Sequence, residues 1–140
     1  MVLIRVAAAL RSGFLRAALT DAIQETRHRF RLTFETPDRA RSIAVSLRPE
    51  LPWVGRPVGR RETRPARPTA FGNQLGKTLR GGVVERIERP GPDRTLVIGF
   101  AGGAALVLEL ATHGANLVLL DPAGTVIGSA RKPVWGPPGQ

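Results

Sequence analysis

One plan of elements occurs twice along this chain, and that repetition limits the folds open to it. A helical pattern ends at residues 9–13 (ALRSG), and another ends at residues 78–82 (TLRGG). Strand patterns follow each of them. Because each copy of a repeated pattern forms one structural unit, we expect two similar halves. The chain has 140 residues, which is enough for one domain with its own core.

The first half begins with a helical pattern and continues with strands. Leu3, Val6, Ala7 and Leu10 share one helical face, and the pair at 12–13 (SG) predicts the end of that helix. Further on, apolar and polar residues alternate, which is typical of strands with one buried face. These alternating segments lie at 29–34 and 42–47.

The second half repeats this order with clearer boundaries. Thr69 is a predicted N-cap, and apolar residues four positions apart follow it on one helical face as far as Leu79. Gly81 and Gly82 then predict a left-handed helix end. Five strands are predicted after that helix, near 83–89, 94–101, 104–111, 116–121 and 125–131.

Two turn signals connect these strands. The glycine pair at 102–103 predicts a two-residue hairpin turn, and residues 121–124 (DPAG) predict a type I turn. Successive strands joined by short turns pair in antiparallel fashion. The sequence therefore predicts an α+β fold of mostly antiparallel β-sheets with two helices, in two similar halves.

The chain is strongly basic, and nearly all of its positive charge is arginine. Twenty-one Lys and Arg residues against 11 Asp and Glu give a net charge of +10, and 19 of the 21 are Arg. The whole surplus falls within residues 1–94 and is densest at 56–80. Guanidinium groups bind phosphate oxygens in two-point contacts, so we expect an acidic partner such as a nucleic acid.

Prolines throughout residues 49–68 predict an exposed, extended loop that carries part of this charge. Trp53 lies inside that loop. It is either a platform on which a base stacks or an anchor packed against the sheet, and the sequence leaves both roles open.

The features that the sequence lacks disfavour several classes of protein. There is no cysteine, and there are two histidines, so we expect neither disulfides nor a metal site. No apolar run approaches the about 18 residues of a membrane span. The sequence also lacks a nucleophile elbow, a P-loop and closely spaced histidine and carboxylate groups. We therefore expect a binding protein without cofactor, metal or enzymatic activity.

The dipeptide formed by Asp93 and Arg94 lies at a predicted turn, where both side chains project beyond the sheet. If the hairpin turn consists of its two glycines alone, Leu96 faces Glu109, and Arg94 lies diagonal to Glu109 on the same face. Glu109 then either orients Arg94 toward a phosphate or a base, or forms an ordinary cross-strand ion pair with it.

Residues 71–82 (FGNQLGKTLRGG), followed by 87–88 (IE) and 92–94 (PDR), resemble the N-terminal domain of the NFACT proteins. These are ribosome quality-control factors, long described in bacteria as fibronectin-binding protein A homologues. Glu109, Asn116 and Asp121 continue the resemblance, whereas Gly76 stands where the family usually has an arginine. The residues that match the family pattern are Phe71, Leu75, Lys77, Gly81, Gly82, Asp93 and Arg94.

The resemblance implies a fold like that of the N-terminal domain of formamidopyrimidine-DNA glycosylases, without glycosylase activity. Those enzymes use an N-terminal proline nucleophile with a glutamate beside it, and Met1 and Val2 provide neither. It also implies a cytoplasmic, ribosome-associated module that binds tRNA and the rRNA of a large ribosomal subunit carrying a stalled nascent chain, in support of C-terminal alanine tailing. With the charge pattern, it gives the expected RNA-binding residues: Asp93, Arg94, Lys77, Arg80, Arg89, Arg56, Arg60, Arg61, Arg64 and Arg67.

The expected RNA-binding domain spans residues 1–133, and residues 134–140 form a Pro/Gly-rich linker or tail. The family's further C-terminal domains are expected on a longer protein or on another chain. Two alternatives stay open at this point. One is a glycosylase-like DNA-binding protein without the N-terminal proline nucleophile, and the other is a protein-binding adhesin module.

Overall fold

A computed structural model of the chain describes residues 3–48, 52–55, 69–89, 94–111 and 114–131. Within these ranges there are two α-helices and nine β-strands, with a helix preceding the strands in both halves. No helix of the described ranges is long and apolar enough to cross a membrane. The elements are α1 (Leu3–Phe14), β1 (Ala18–Thr26), β2 (Arg29–Glu35), β3 (Ala40–Ser46), β4 (Trp53–Gly55), α2 (Ala70–Leu79), β5 (Val84–Glu88), β6 (Thr95–Phe100), β7 (Ala105–Glu109), β8 (Asn116–Leu120) and β9 (Val126–Ser129).

The strands form two antiparallel sheets, each with its strands in sequence order. The first sheet consists of β1 to β4 and the second sheet of β5 to β9. Both sheets and both helices contribute to one hydrophobic cluster, so the halves share a core. The predicted α+β class, with two helices and antiparallel sheets, is confirmed.

The alternation predicted for β2 is present in the first sheet. Phe30, Leu32 and Phe34 are buried, whereas Arg29 and Arg31 point to the opposite face. The buried carboxylate of Glu25 contacts these two arginines on the same face.

Part of the predicted loop at 49–68 is a strand, which corrects that prediction for residues 53–55. β4 pairs with β3, and Val54 lies opposite Val45 with both side chains buried. Burying Val54 at the sheet edge outweighs the extended-loop preference of the neighbouring prolines. The remainder of the loop, 49–51 and 56–68, lies outside the described residues.

The first helix continues past Ser12 and Gly13, where the sequence pattern predicted its end, and ends at Phe14. The Phe14 ring packs edge-to-face on Phe34, with 5.0 Å between the ring centroids. A glycine inside a helix costs about 1 kcal/mol relative to alanine, whereas burying a phenylalanine gains about 2–3 kcal/mol. Packing therefore extends the helix to Phe14. Two residues after the end of the helix, Arg16 has a left-handed backbone conformation with a φ of 70°.

The second helix has the predicted ends and the predicted buried face. The hydroxyl of Thr69 accepts a hydrogen bond from the Gly72 N–H at 2.9 Å, which caps the N-terminus. Gly81 has a φ of 86° directly after the C-cap residue. The buried apolar side chains of α2 are Phe71, Leu75 and Leu79.

The hairpin between β6 and β7 has a three-residue loop, so the predicted two-residue turn is wrong. The Phe100 N–H donates to the Ala104 carbonyl at 2.9 Å, and the Phe100 carbonyl accepts from the Gly103 N–H at 2.9 Å. Residues 100–103 form a four-residue turn whose third residue, Gly102, has the positive φ that a type II turn requires. Gly103, the next residue, also has positive φ. The added residue shifts the strand register by one position.

The two halves meet along a short antiparallel bridge that joins their first strands. The Leu19 N–H donates to the Gly82 carbonyl at 2.8 Å, and the Gly81 N–H donates to the Leu19 carbonyl at 2.7 Å. In the matching pair of bonds, the Val84 N–H donates to the Ala17 carbonyl and the Arg16 N–H donates to the Val84 carbonyl, each at 2.8 Å. Since α1 packs on β5 and α2 on β1, each helix covers the first strand of the other half.

These hydrogen bonds fix the register of the internal repeat. Adding 65 to Phe14, the last residue of α1, gives Leu79, the last residue of α2, and adding 65 to Arg16 gives Gly81, which like Arg16 has a positive φ just after its helix. The sequence match of residues 9–13 with residues 78–82 therefore differs from this structural alignment by four residues, about one helical turn. Residues four positions apart lie on the same helical face, so both alignments superimpose apolar residues.

Candidate nucleic-acid interface

The predicted RNA-binding residues divide into those that the structure describes and those outside it. Lys77, Arg80, Arg89 and Arg94 are described, as is Glu109. The others lie outside the described residues; they are Asp93, Arg56, Arg60, Arg61, Arg64 and Arg67.

An open groove of about 550 Å³ lies between α2 and β1. Two glycines of α2 face β1, and an added side chain would be crowded at Gly72 but not at Gly76. A methyl group added at Gly72 would lie 3.3 Å from the Gln24 Oε1, and one added at Gly76 would lie 3.6 Å from the Ala22 carbonyl oxygen. The polar and charged side chains that line the groove are Asp21, Gln24, Thr69, Asn73, Lys77 and Arg80.

Two of the predicted cations, Lys77 and Arg80, lie in this groove. The Arg80 Nη2 is 3.3 Å from the Asp21 Oδ1, and the two side chains are 64% and 38% exposed. An ion pair so exposed contributes little to stability, but it restricts where the guanidinium points. Lys77 is exposed at the end of α2, and none of the ion pairs among the described residues involves it. Its ammonium group is accessible to a phosphate.

Arg89 and Arg94 lie together at one end of the second sheet. Arg89 directly follows β5, Arg94 directly precedes β6, and Glu88 of β5 lies opposite Val97 of β6. Arg94 is exposed, and Arg89 is half-buried. Arg80 precedes the opposite end of β5, whose five residues span about 16 Å at about 3.3 Å each. The four described cations therefore fall into two groups, Lys77 with Arg80 and Arg89 with Arg94.

Glu109 does not occupy the position from which it was predicted to orient Arg94. The three-residue loop places Glu109 opposite Thr95, and Leu96 opposite Leu108. Arg94 lies opposite Leu110, whose N–H donates to the Arg94 carbonyl at 2.7 Å. In the strand register Arg94 and Glu109 are thus one residue out of step, and the predicted diagonal contact is corrected.

A buried charge cluster on the outer face of the first sheet was missed by the sequence analysis. Glu25 is 3% exposed and accepts a hydrogen bond from the Arg31 Nε at 2.9 Å. The Arg29 Nε lies 3.2 Å from the other carboxylate oxygen, an ion pair without hydrogen-bond geometry. The Arg29 guanidinium lies over the Trp53 ring, 5.9 Å from its centroid. Trp53 is half-buried in β4, which fits the anchor interpretation, and the stacking interpretation stays a prediction.

The Glu25 cluster has a sequence signal, because one glutamate is followed at short spacing by Arg29 and Arg31. A bulge hides it. Gln24 lies opposite Phe30 while Thr26 lies opposite Arg29, so Glu25 is the extra residue of its strand. The alternation that would have placed its side chain is broken at this point.

The described side chains suit ion pairing and hydrogen bonding with a polar ligand. Within the described ranges no three His, Cys, Asp or Glu residues lie close enough together to hold a metal ion. The exposed cations and the amides of the groove match the acceptors of phosphates and base edges.

Comparison with known proteins identifies the fold and a family. Residues 1–135 match the family model for NFACT N-terminal and middle domains. No match was found among curated protein sequences.

Solved structures share this fold at low sequence identity. The N-terminal domain of the fibronectin-binding protein PavA of Streptococcus pneumoniae has a TM-score of 0.85 and 20% identity, over 96% of this chain and 54% of that one. The N-terminal part of the fibronectin/fibrinogen-binding protein FBPS of Streptococcus suis has a TM-score of 0.84 and 20% identity, over 92% and 51%. The fibrinogen-binding protein of Staphylococcus aureus has a TM-score of 0.76 and 17% identity, over 92% and 48%. The chain thus spans about half the length of these structures.

Proposed function

The chain belongs to the family of NFACT N-terminal and middle domains, and from this membership we propose that it is the RNA-binding module of a cytoplasmic ribosome quality-control factor. It binds tRNA and the rRNA of a large subunit that carries a stalled nascent chain. In this role it supports the addition of C-terminal alanine tails. The module itself breaks no bond.

The observation that carries the proposal is a surplus of exposed, cationic side chains on a basic chain. The net charge is +10, and Lys77 and Arg94 are both exposed outside the ion pairs of the described residues. Exposed guanidinium and ammonium groups release counterions from RNA when they contact phosphates. Arg94 also lies directly before the first residue of β6, at the end of the second sheet.

Titration of labelled tRNA with the full chain, followed by fluorescence anisotropy, tests the proposal. Arg94→Ala is compared with Arg27→Ala, which removes the same charge from an exposed position in the turn between β1 and β2. We expect Arg94→Ala to weaken tRNA binding roughly tenfold, the loss of one charge-assisted contact, and Arg27→Ala to have a much smaller effect. Equal losses for the two variants would show that Arg94 acts only through net charge.

Sedimentation with ribosomes tests the second part of the proposal. The chain is mixed with large subunits carrying peptidyl-tRNA, with empty large subunits and with small subunits. We expect the chain to pellet preferentially with the first of these and to be released by added salt. Equal pelleting with small subunits would contradict a role specific to the large subunit.

A second candidate function is protein binding, and the names of the structural neighbours favour it. PavA and FBPS are described as fibronectin-binding and fibronectin/fibrinogen-binding proteins. Binding of this chain to immobilised fibronectin that persists at high salt would support that function. Binding that disappears with salt would reflect charge alone.

A further inference from the structure

The internal repeat explains why the groove between α2 and β1 is open. At the offset of 65 fixed above, Arg11 of α1 corresponds to Gly76 of α2, and Ile87 of β5 corresponds to Ala22 of β1. The Arg11 Nε donates to the Ile87 carbonyl at 2.6 Å, so an arginine side chain lies across the α1–β5 contact. At the equivalent α2–β1 contact, Gly76 offers no side chain. The Arg11 side chain thus fills the space beside the strand at the α1–β5 contact, whereas no side chain fills the equivalent space at the α2–β1 contact.

The open groove contains side chains suited to one segment of nucleic acid. Its volume, about 550 Å³, lies within the range of about 300–1,000 Å³ that holds small ligands. Lys77 and Arg80 supply positive charge, and the Asp21 Oδ1 lies 3.3 Å from the Arg80 Nη2. Asn73 is exposed on the same side of α2, and an amide can both donate to and accept from a base edge.

We propose that this groove binds a nucleotide of single-stranded RNA, with Lys77 and Arg80 each contacting one of the two phosphates that flank it and Asn73 contacting the base. This inference rests on the proposed RNA-binding function and assigns it a site. Asp21 is a positioning residue, since it acts through Arg80. Gln24 has a structural part, because its side-chain oxygen accepts a hydrogen bond from the Thr69 hydroxyl.

Filling the groove while adding positive charge separates a specific site from general electrostatic attraction. Gly76→Arg places a guanidinium where α1 has one, and even a methyl group at this position would lie 3.7 Å from the Arg80 Nη2. The matched control is Thr78→Arg, which adds the same charge at an exposed position of α2 that does not line the groove. The probe is a labelled oligouridylate, and the readout is its affinity at several salt concentrations.

Of the two arginine variants, only the one inside the groove is expected to lose affinity. Thr78→Arg should bind the oligonucleotide as tightly as the unaltered chain or more tightly, with a steeper salt dependence. Gly76→Arg should bind roughly tenfold more weakly in spite of its added charge. If Gly76→Arg binds as tightly as Thr78→Arg, the groove is not the site, and RNA binding as such still stands. If the unaltered chain binds no RNA, both proposals are wrong.

A second variant keeps the test independent of how Gly76→Arg folds. Asn73 is exposed and takes part in α2 through its backbone, so Asn73→Ala leaves the helix intact. We expect it to weaken oligouridylate binding severalfold without changing the salt slope, because no charge is lost. An unchanged affinity would overturn the base contact assigned to Asn73. Thermal unfolding of each variant verifies that it is folded.

Discussion

Replacing the buried carboxylate of Glu25 should destabilise the first sheet strongly. Glu25→Gln keeps the shape of the side chain and removes its charge, which takes away the ion-pair partner of Arg31 and one ion-pair partner of Arg29 on the same face. Removing one partner of a buried ion pair costs about 3–5 kcal/mol. Because the side chains of Arg29 and Arg31 stay 27% and 14% exposed, we expect the lower end, about 3 kcal/mol.

This free energy corresponds to a large shift in the unfolding temperature. At about 2.1 cal/mol/K per residue, a chain of 140 residues unfolds with an entropy of about 0.29 kcal/mol/K, so 3 kcal/mol lowers Tm by about 10 °C. Thermal unfolding followed by circular dichroism measures it. Glu35→Gln is the matched control, because Glu35 is exposed at the end of the same sheet and should change stability by less than about 0.5 kcal/mol.

A double-mutant cycle tests whether the loss arises from the ion pair. Arg31→Gln should destabilise the chain with Glu25 present and should cost less once Glu25 is already Gln. If Glu25→Gln and Glu35→Gln lower Tm equally, or if the two effects at Glu25 and Arg31 simply add, the reasoning on this cluster is refuted.

Two further predictions concern the ends of the helices. Arg16→Gly should stabilise the chain by about 0.5–1 kcal/mol, because relief from the left-handed conformation exceeds the backbone entropy cost of glycine. Gly81→Ala should destabilise the chain by about 1 kcal/mol through the left-handed backbone alone, because no atom lies near the added methyl group. Chemical denaturation of both variants checks this, and effects of the same sign would contradict the equivalence of the two positions. Thr69→Ala should cost about 1 kcal/mol through loss of the N-cap, while Thr69→Ser should retain most of the stability; equal losses in denaturation experiments would argue against the cap.

The second half of the fold was predictable because its local signals agree with its packing. Thr69 caps the N-terminus of α2, and Gly81 follows its C-terminus with positive φ. Asp121 begins a turn, and its carbonyl accepts a hydrogen bond from the Gly124 N–H at 2.9 Å. The predicted strands have their observed counterparts in β5 to β9. In each case the residue that carries the signal is also the one that makes the predicted contact.

The first half was less predictable because long-range contacts override its local signals. β1 contains two irregularities in its pairing with β2, so its buried residues Leu19, Ala22 and Glu25 are three positions apart and follow neither strand nor helix periodicity. Gly13 predicted a helix end that the burial of Phe14 postpones. Such contacts depend on residues far apart in the chain, which local patterns do not contain.

The candidate site was predictable in its residue types and less so in its geometry. Lys77 and Arg80 were singled out from the charge pattern, and both line the groove between α2 and β1. Asp21 and Gln24, on the other side of that groove, belong to the strand whose pattern gave no prediction. One added residue in the loop after Phe100 places Glu109 opposite Thr95 rather than opposite Leu96, so the register differs from the one on which the predicted contact with Arg94 was based.

The salt dependence of tRNA binding by the unaltered full chain tests the central claim most directly. If the four described cations predicted to bind RNA each contact a phosphate, a plot of log affinity against log salt should have a slope of about −3 or steeper, at about 0.7–0.9 per contact. These residues are Lys77, Arg80, Arg89 and Arg94. Binding with a slope near zero, or the absence of tRNA binding at low salt, would contradict the account.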